Sequence, residues 1–342
     1  MRWPLRRKAR NDRLVMSCTS DALTYACSVK GQLVRCGVEP LGDDTAQAFA
    51  RRIRSLGLQA GHVTALLPLH ECQLLQIEAP AVPADELKAA ARWRIKDLVD
   101  AHLDDLTLDV MVVGDGRSRN QRQLFVAAAH TRAIQEVCVS SKAAGLALAV
   151  IDIRETAQRN LQSAVAPERS ESASAALMQH GEQCLLTICA KGELFYARRL
   201  AWDPSALAGD RSAEGSNPSL APHASLSPEL AMMDIVDYGA DAQPGAGPAG
   251  DETPRLVIEM QRSLDLWERT WPDLPLERVL IQVGEPSSAL AALLRHSIAL
   301  PVEILQPERV FANLDAQAGT PAVRTAVVPL LGALLRTESR QL

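Results

Sequence analysis

One six-residue pattern occurs twice, and it constrains the fold more than any other feature of the chain. Ser28-Val29-Lys30-Gly31-Gln32-Leu33 and Cys189-Ala190-Lys191-Gly192-Glu193-Leu194 lie 161 residues apart, each with its Lys-Gly pair between two β-rich runs. A two-residue turn containing Gly accepts the positive φ that tight hairpins require. Residues 25–29 with 32–38 therefore predict one hairpin, and 185–190 with 193–200 predict the other. A candidate strand precedes each hairpin, at 13–18 and at 173–178, so each half opens with a three-stranded meander. Strand, turn and strand recurring in the same order point to an internal duplication.

Helix and strand signals alternate after each meander. In the first half, 43–56 reads as a helix and 62–67 as a strand. Pro83, Asp85 and Glu86 then open a helix over 83–98 whose Leu87, Ala91, Ile95 and Leu98 fall at helical spacing. Strands are predicted at 109–113 and 124–129, a helix at 131–144 stopped by Gly145, and a buried strand at 147–153 leading into a helix through Leu161. In the second half, 256–271 is a helix ended by Pro272, followed by a strand at 279–283 and a helix at 287–296. A strand at 302–305 and a helix at 326–336 close the chain. Two meanders, each followed by alternating elements, predict a duplicated α/β protein of two domains with a cleft between them.

Composition excludes classes without naming a chemistry. At 342 residues, 47% hydrophobic and 23% charged, the chain has the profile of a globular protein of about two domains. A net charge of -5 disfavours a whole-surface nucleic-acid binder. No apolar run reaches the roughly 18–20 residues that span a bilayer, the best being 325–335 with Pro329 inside it. The basic N-terminus is not followed by an apolar stretch, so it does not read as a secretory signal. Seven cysteines with no Cys-x-x-Cys read as reduced thiols used as small hydrophobes. His70, Glu71 and Cys72 are adjacent and cannot converge on one metal ion from an extended segment.

Charge is uneven along the chain. Arg2, Arg6, Arg7, Lys8, Arg10 and Arg13 crowd the first 13 residues, whereas 204–254 holds eight acidic side chains against Arg211 alone. The acidic stretch is also rich in Pro, Gly, Ser and Ala and reads as a disordered insertion. The expected division is a basic arm at 1–12, a first domain at 13–165 with an inserted subdomain at 68–115, and a second domain at 166–342 carrying the 204–254 insertion.

Four segments narrow the class further. They are Glu86-Leu87-Lys88-Ala89-Ala90-Ala91-Arg92-Trp93; Val150-Ile151-Asp152-Ile153 with Ala157 and Arg159-Asn160-Leu161; Gly192-Glu193-Leu194-Phe195-Tyr196-Ala197-Arg198; and Glu259-Met260-Gln261-Arg262-Ser263-Leu264-Asp265. Together they resemble the MSHA-pilus biogenesis family MshI, a relative of PilM from type IV pilus assembly and of the cytoplasmic part of GspL from type II secretion. The resemblance covers nearly the whole chain outside 1–12 and 204–254. It implies a duplicated actin-like, ribonuclease H-like fold of two domains with a central cleft. It also implies a cytoplasmic scaffold, peripheral to the inner membrane, that docks a bitopic partner of the PilN type. The partner's short cytoplasmic peptide would lie in a groove of the first domain, with Leu87 and Trp93 as candidate contacts. Trp93 also reads as an anchor packed under a neighbouring domain. For the basic arm, contact with anionic lipid and a solvated tail are both open.

The same resemblance directs attention to a nucleotide pocket. Members of the superfamily hold ATP through two phosphate loops, one after the first strand of each half, with a nearby Asp orienting the metal-bound phosphates. Here the first loop would be Cys18-Thr19-Ser20-Asp21-Ala22, which has no Gly, and the second Met178-Gln179-His180-Gly181, which has no carboxylate. On the adenosine side Val283-Gly284-Glu285 carries an acid where a second Gly would sit. Gly181, Gly284 and Gly332 are the residues left as cofactor-binding candidates, with Gly332 also reading as a close-packing position. Three losses argue against hydrolysis, so no catalytic residue, metal or required cofactor is expected, with ATP left as an open ligand. The alternative is an ATP-binding PilM-like or GspL-like protein with diverged loops. A small-molecule kinase of the same fold is disfavoured by the missing acids.

Overall fold

The two Lys-Gly turns adopt the same backbone. Lys30 and Lys191 have φ of 52° and 55°, and Gly31 and Gly192 follow at 81° and 76°. Two successive positive φ values are what a two-residue hairpin needs to match strand twist. The computed structural model describes residues 12–58, 60–114, 122–167, 171–203 and 254–337. Most of the basic arm, with Arg2, Arg6, Arg7, Lys8 and Arg10, and residues 204–253 of the acidic insertion lie outside the described residues.

The first half runs β1 (Asp12–Cys18), β2 (Ala22–Val29), β3 (Gln32–Pro40), α1 (Ala46–Ser55), β4 (His62–Leu66), β5 (Cys72–Glu78), α2 (Leu87–Arg94), β6 (Leu106–Val112), β7 (Gln123–His130), α3 (Thr131–Ala143), β8 (Leu148–Asp152) and α4 (Arg154–Val165). The second runs β9 (Ala173–His180), β10 (Gln183–Ala190), β11 (Glu193–Ala201), α5 (Arg255–Thr270), β12 (Leu276–Gln282), α6 (Ser287–Ser297), β13 (Val302–Ile304), α7 (Leu314–Ala318) and α8 (Pro321–Leu334).

Two five-stranded sheets have matching strand orders, β3-β2-β1-β4-β8 and β11-β10-β9-β12-β13. In each, the meander is antiparallel and the last two strands join in parallel. Even the irregularity recurs: the ladder slips between Cys27 and Ser28 in one hairpin and between Ile188 and Cys189 in the other, at equivalent positions. The duplication read from the Lys-Gly repeat is thus present in strand order, turn geometry and bulge.

Strand alternation sends each sheet's two faces to different cores. Leu14 and Met16 on β1 join Ile53 of α1 on the outer side, while Val15 between them faces inward. On β9, Ala175 and Leu177 face outward toward α5 and α6, and Ala176 and Met178 face inward. The inner core is filled by Ala157, Leu161 and Val165 of α4 and by Val327, Val328, Leu330 and Leu331 of α8. These helices are exchanged between the halves. α4 reaches across to β10 and β11, and α8 reaches back to β1, β2 and β3.

A third sheet, ordered β5-β7-β6, carries α2 on one face. It leans on the second half, where Val113 and Phe125 enter that core beside Phe195. The Gly114 N–H donates to the Leu194 carbonyl at 2.9 Å, and a β-carbon on Gly114 would collide with the Phe195 ring. Phe195 meets Trp271 edge-on at 5.0 Å between centroids, and Trp271 stacks on Trp267 at 5.8 Å.

The structure revises several element boundaries. The expected 83–98 helix shrinks to Leu87–Arg94: Glu86 N bonds to Pro83 O in a turn before it. After it, the bonds from Lys96 N to Trp93 O and Leu98 N to Ile95 O tighten to three-residue spacing. β5 and α7 were not expected from the sequence. α8 begins at Pro321, before the expected 326, because Thr320 caps it by accepting from Val323 N at 3.3 Å. Among the described residues no helix is long and apolar enough to cross a membrane.

Candidate functional site

The turns that end β1 and β9 are where the two phosphate loops were expected. In the first, backbone donors are taken up locally. The Thr19 hydroxyl oxygen accepts from Asp21 N at 3.3 Å and Ala22 N at 3.2 Å. Thr19 N itself donates to Ala22 O at 2.9 Å, and Ser20 Oγ donates to Asp21 Oδ1 at 2.9 Å. A loop whose N–H groups close on its own Thr presents few of them to an anion.

The second turn is where two of the three candidate glycines meet. Gly181 has φ of +67° and accepts at its carbonyl from Gln179 Nε2 at 3.0 Å. Gly284 has φ of +72°, and a β-carbon there would lie 3.6 Å from Gln179 Oε1 and 3.4 Å from Thr325 Oγ1. Gln179 thus brings Gly181 and Gly284 to one place, in the segment where a carboxylate was missing from the sequence. Gly332 is elsewhere. It lies at the α4–α8 contact, where its β-carbon would overlap the Ala157 carbonyl oxygen and its own carbonyl accepts from Asn160 Nδ2 at 3.2 Å.

Between the halves lies a polar, buried floor. Arg154 is buried, donating from Nε to Leu67 O at 3.0 Å and from Nη2 to Ser17 Oγ at 2.5 Å. Burial pulls its pKa down to about 10, against the favourable charge of Glu155, so it remains a cation at neutral pH. The Glu155 carboxylate pairs with Arg199 Nη2 at 3.2 Å, and Arg199 also donates to the Cys72 carbonyl. Asp152 Oδ2 accepts from Arg336 at 2.8 Å, and its Oδ1 accepts from Thr156 Oγ1 at 2.6 Å.

His180, at the end of β9, completes the floor. Gln158 Nε2 donates to Ala176 O, Leu185 O and Thr187 Oγ1, so Gln158 Oε1 is the acceptor and His180 Nε2, 3.0 Å away, carries the proton. Its Nδ1 is buried without a hydrogen-bond partner. Burial, reinforced by the charges of Arg154 and Arg199, holds the imidazole pKa well below 6.5. The floor therefore presents cations and a neutral imidazole. Its two carboxylates, Asp152 and Glu155, are both engaged by arginines. Among the described residues no group of three His, Cys, Asp or Glu side chains could hold a metal ion.

The partner-binding candidates separate on α2. Leu87 turns inward with Ala91 and Ile95 onto the small sheet, whereas Trp93 is 72% exposed. Arg92 beside it pairs with Asp104 at 2.8 Å. Of the floor residues, the sequence reading singled out Asp152, Arg159 and His180 only as parts of motifs, and it passed over Arg154, Glu155, Gln158 and Gln162. A signal was present: α4 is polar around much of its circumference yet lies between two strongly apolar strands.

No sequence-family model matches the chain, and no curated protein matches it. Solved structures do. The PilM–PilN type IV pilus biogenesis complex matches at a TM-score of 0.65 and 17% identity, over 95% of this chain and 98% of that one. The cytoplasmic domain of EpsL, an inner-membrane component of the type II secretion system of Vibrio cholerae, matches at 0.41 and 15%, over 60% and 79%. A Bacteroides thetaiotaomicron protein of actin-like ATPase fold and unknown function matches at 0.45 and 8%, over 92% and 96%. At such identities the likeness is one of fold. With the paired sheets and exchanged helices, the chain has a duplicated α/β fold like that of the PilM–PilN complex.

Proposed function

We propose that this chain is a non-catalytic, actin-like scaffold of an inner-membrane platform for type IV pilus biogenesis, of the MshI type. Its work would be binding: a bitopic PilN-like protein would bring a short cytoplasmic peptide to the first domain. The single observation that carries the non-catalytic reading is the state of the first loop and the floor. The first loop's amides close on Thr19, and Asp152 and Glu155 are held by Arg336 and Arg199. For docking, the support is the fold shared with the PilM–PilN complex and the large exposed aromatic at Trp93. The chain would be cytoplasmic and reach the membrane through its partner. Arg2, Arg6, Arg7, Lys8 and Arg10 would add a salt-sensitive attraction to anionic lipid.

An ATP-binding reading draws on one observation, the meeting of Gly181 and Gly284 around Gln179. One calorimetric series separates the two readings. The scaffold reading expects no heat of binding from Mg-ATP and saturable binding of an N-terminal peptide from a PilN-type protein encoded beside this chain. ATP turnover that is lost when Gly181 or Gly284 is made bulky would overturn it.

A further inference from the structure

We propose that α4 is a latch that holds the two halves in one relative orientation without any bound ligand. Glu155, Gln158, Arg159 and Gln162 fall at the spacing that places side chains on a single helical face. That face is buried, although none of the four is apolar. Every one of them reaches into the second half. Gln158 Nε2 lies 3.0 Å from Ala176 O, 2.9 Å from Leu185 O and 2.9 Å from Thr187 Oγ1, and its oxygen accepts from His180 at 3.0 Å. Gln162 Nε2 donates to Ser174 O and Ser174 Oγ at 2.8 Å each, and Gln162 Oε1 accepts from Thr187 Oγ1 at 2.8 Å. Glu155 pairs with Arg199 at 3.2 Å and Arg159 with Glu193 at 3.6 Å.

The opposite face of α4 packs on α8 through Ala157 and Leu161, with Gly332 admitting the Ala157 backbone. α8 is in turn tied back to the first half, where Arg13 Nη1 donates to Leu334 O at 3.0 Å. The two exchanged helices therefore grip each other and both sheets. Parting the halves slightly would break the hydrogen bonds of two buried amide side chains and the ion pair of a buried carboxylate before water could replace them. Buried polar groups in that condition are costly, and a fully connected network resists partial opening. The orientation that a bound nucleotide could impose by bridging two loops is here imposed by the chain's own amides. This inference concerns the relation of the halves alone, so it stands or falls apart from the docking of any peptide.

The test is a distance measurement on the full chain. Spin labels at Q135C on α3 and A292C on α6, both exposed positions, are placed in a C138S background that removes the exposed native thiol. Double electron–electron resonance is expected to give one narrow distance, unchanged by millimolar Mg-ATP, and a broadened or lengthened distribution in Q158A/Q162A. A broad distribution in the parent, a shift on adding Mg-ATP, or a narrow distribution retained in the double variant overturns the latch. Should Q158A/Q162A fail to fold, R199Q severs the half-buried tie to Glu155 together with the contact of Arg199 on the Cys72 carbonyl. Hydrogen exchange of the α4 amides is then expected to rise at least tenfold while that of α5 holds. Equal change in both helices, or in neither, overturns the proposal.

Discussion

Gly332 and Ala157 sit backbone to backbone, so close that a β-carbon on Gly332 would fall inside the carbonyl oxygen of Ala157. Two opposed effects meet in Gly332→Ala. Ala gains about 1 kcal/mol of helix propensity over Gly in a helix interior. The clash is with main chain, which cannot swing aside, and overpacking of this kind costs about 1–3 kcal/mol or more. The net expectation is a lower melting temperature, read by circular dichroism. A raised melting temperature would refute the close approach of α4 and α8.

Asp152→Ala removes the partner of Arg336 and the acceptor for Thr156 and Ile153 N–H at the end of β8. Breaking a buried pair costs about 3–5 kcal/mol. The lower end applies, because Arg336 keeps some contact with solvent and can rehydrate. Denaturant melts should show the midpoint falling with an unchanged slope. No shift would mean the pair is dispensable.

Stability should fall as the medium is acidified through the ordinary histidine range. His180 is held neutral in the fold, well below its ordinary 6.5, so between the folded and unfolded values the unfolded chain binds the extra proton. Stability is then present above pH 6.5 and lost as pH drops below it, with a slope of up to about one proton. His62 is shifted in the same direction, by burial first and then by Arg13 and Arg336. Replacing His180 with Gln should flatten the pH profile of the melting temperature between pH 7 and 5. A profile as steep as the parent's would place the titrating group elsewhere.

Trp93→Ala tests the docking surface. At 72% exposure Trp93 contributes little to the core, so stability should move by less than about 0.5 kcal/mol. Affinity for the PilN-type peptide should fall at least tenfold, the scale of an interface hot spot. Unchanged affinity would move the groove away from α2.

The fold was legible because duplication repeats its evidence. One Lys-Gly turn is a weak signal; two, each with a strand on either side and another before the hairpin, located six strands, and the structure carries the likeness down to the bulges at Cys27/Ser28 and Ile188/Cys189. The small sheet was harder. β5 alternates poorly, with Leu74 and Leu75 both half-buried, since one leans on the second half and the other on α2's core. The floor was least legible. Periodicity finds buried faces by their apolar residues, and α4 buries Glu155, Gln158 and Gln162 on a face that reads as solvent-facing. Their acceptors, such as Ser174 O and Leu185 O, are main-chain atoms of strands with no distinctive sequence. The inward turn of Leu87 beside the outward Trp93 likewise depends on where α2 lands, which helical spacing alone leaves free.

The exchange of α8 has a consequence for synthesis. The inner face of the first sheet, with Val15, Ala26 and Leu33, is covered by a helix that begins only at Pro321, after the whole second sheet. A nascent first half can therefore close its outer core around Leu14, Tyr25 and Ile53 while its inner face stays bare until α8 has been synthesised. Domains commonly fold in order as they leave the ribosome, and bare apolar strands in the interval invite aggregation. Here the ribosome must release both halves before the first sheet is finished, which makes the nascent chain a natural client for chaperones and the loss of α8 a defect felt in β1, β2 and β3.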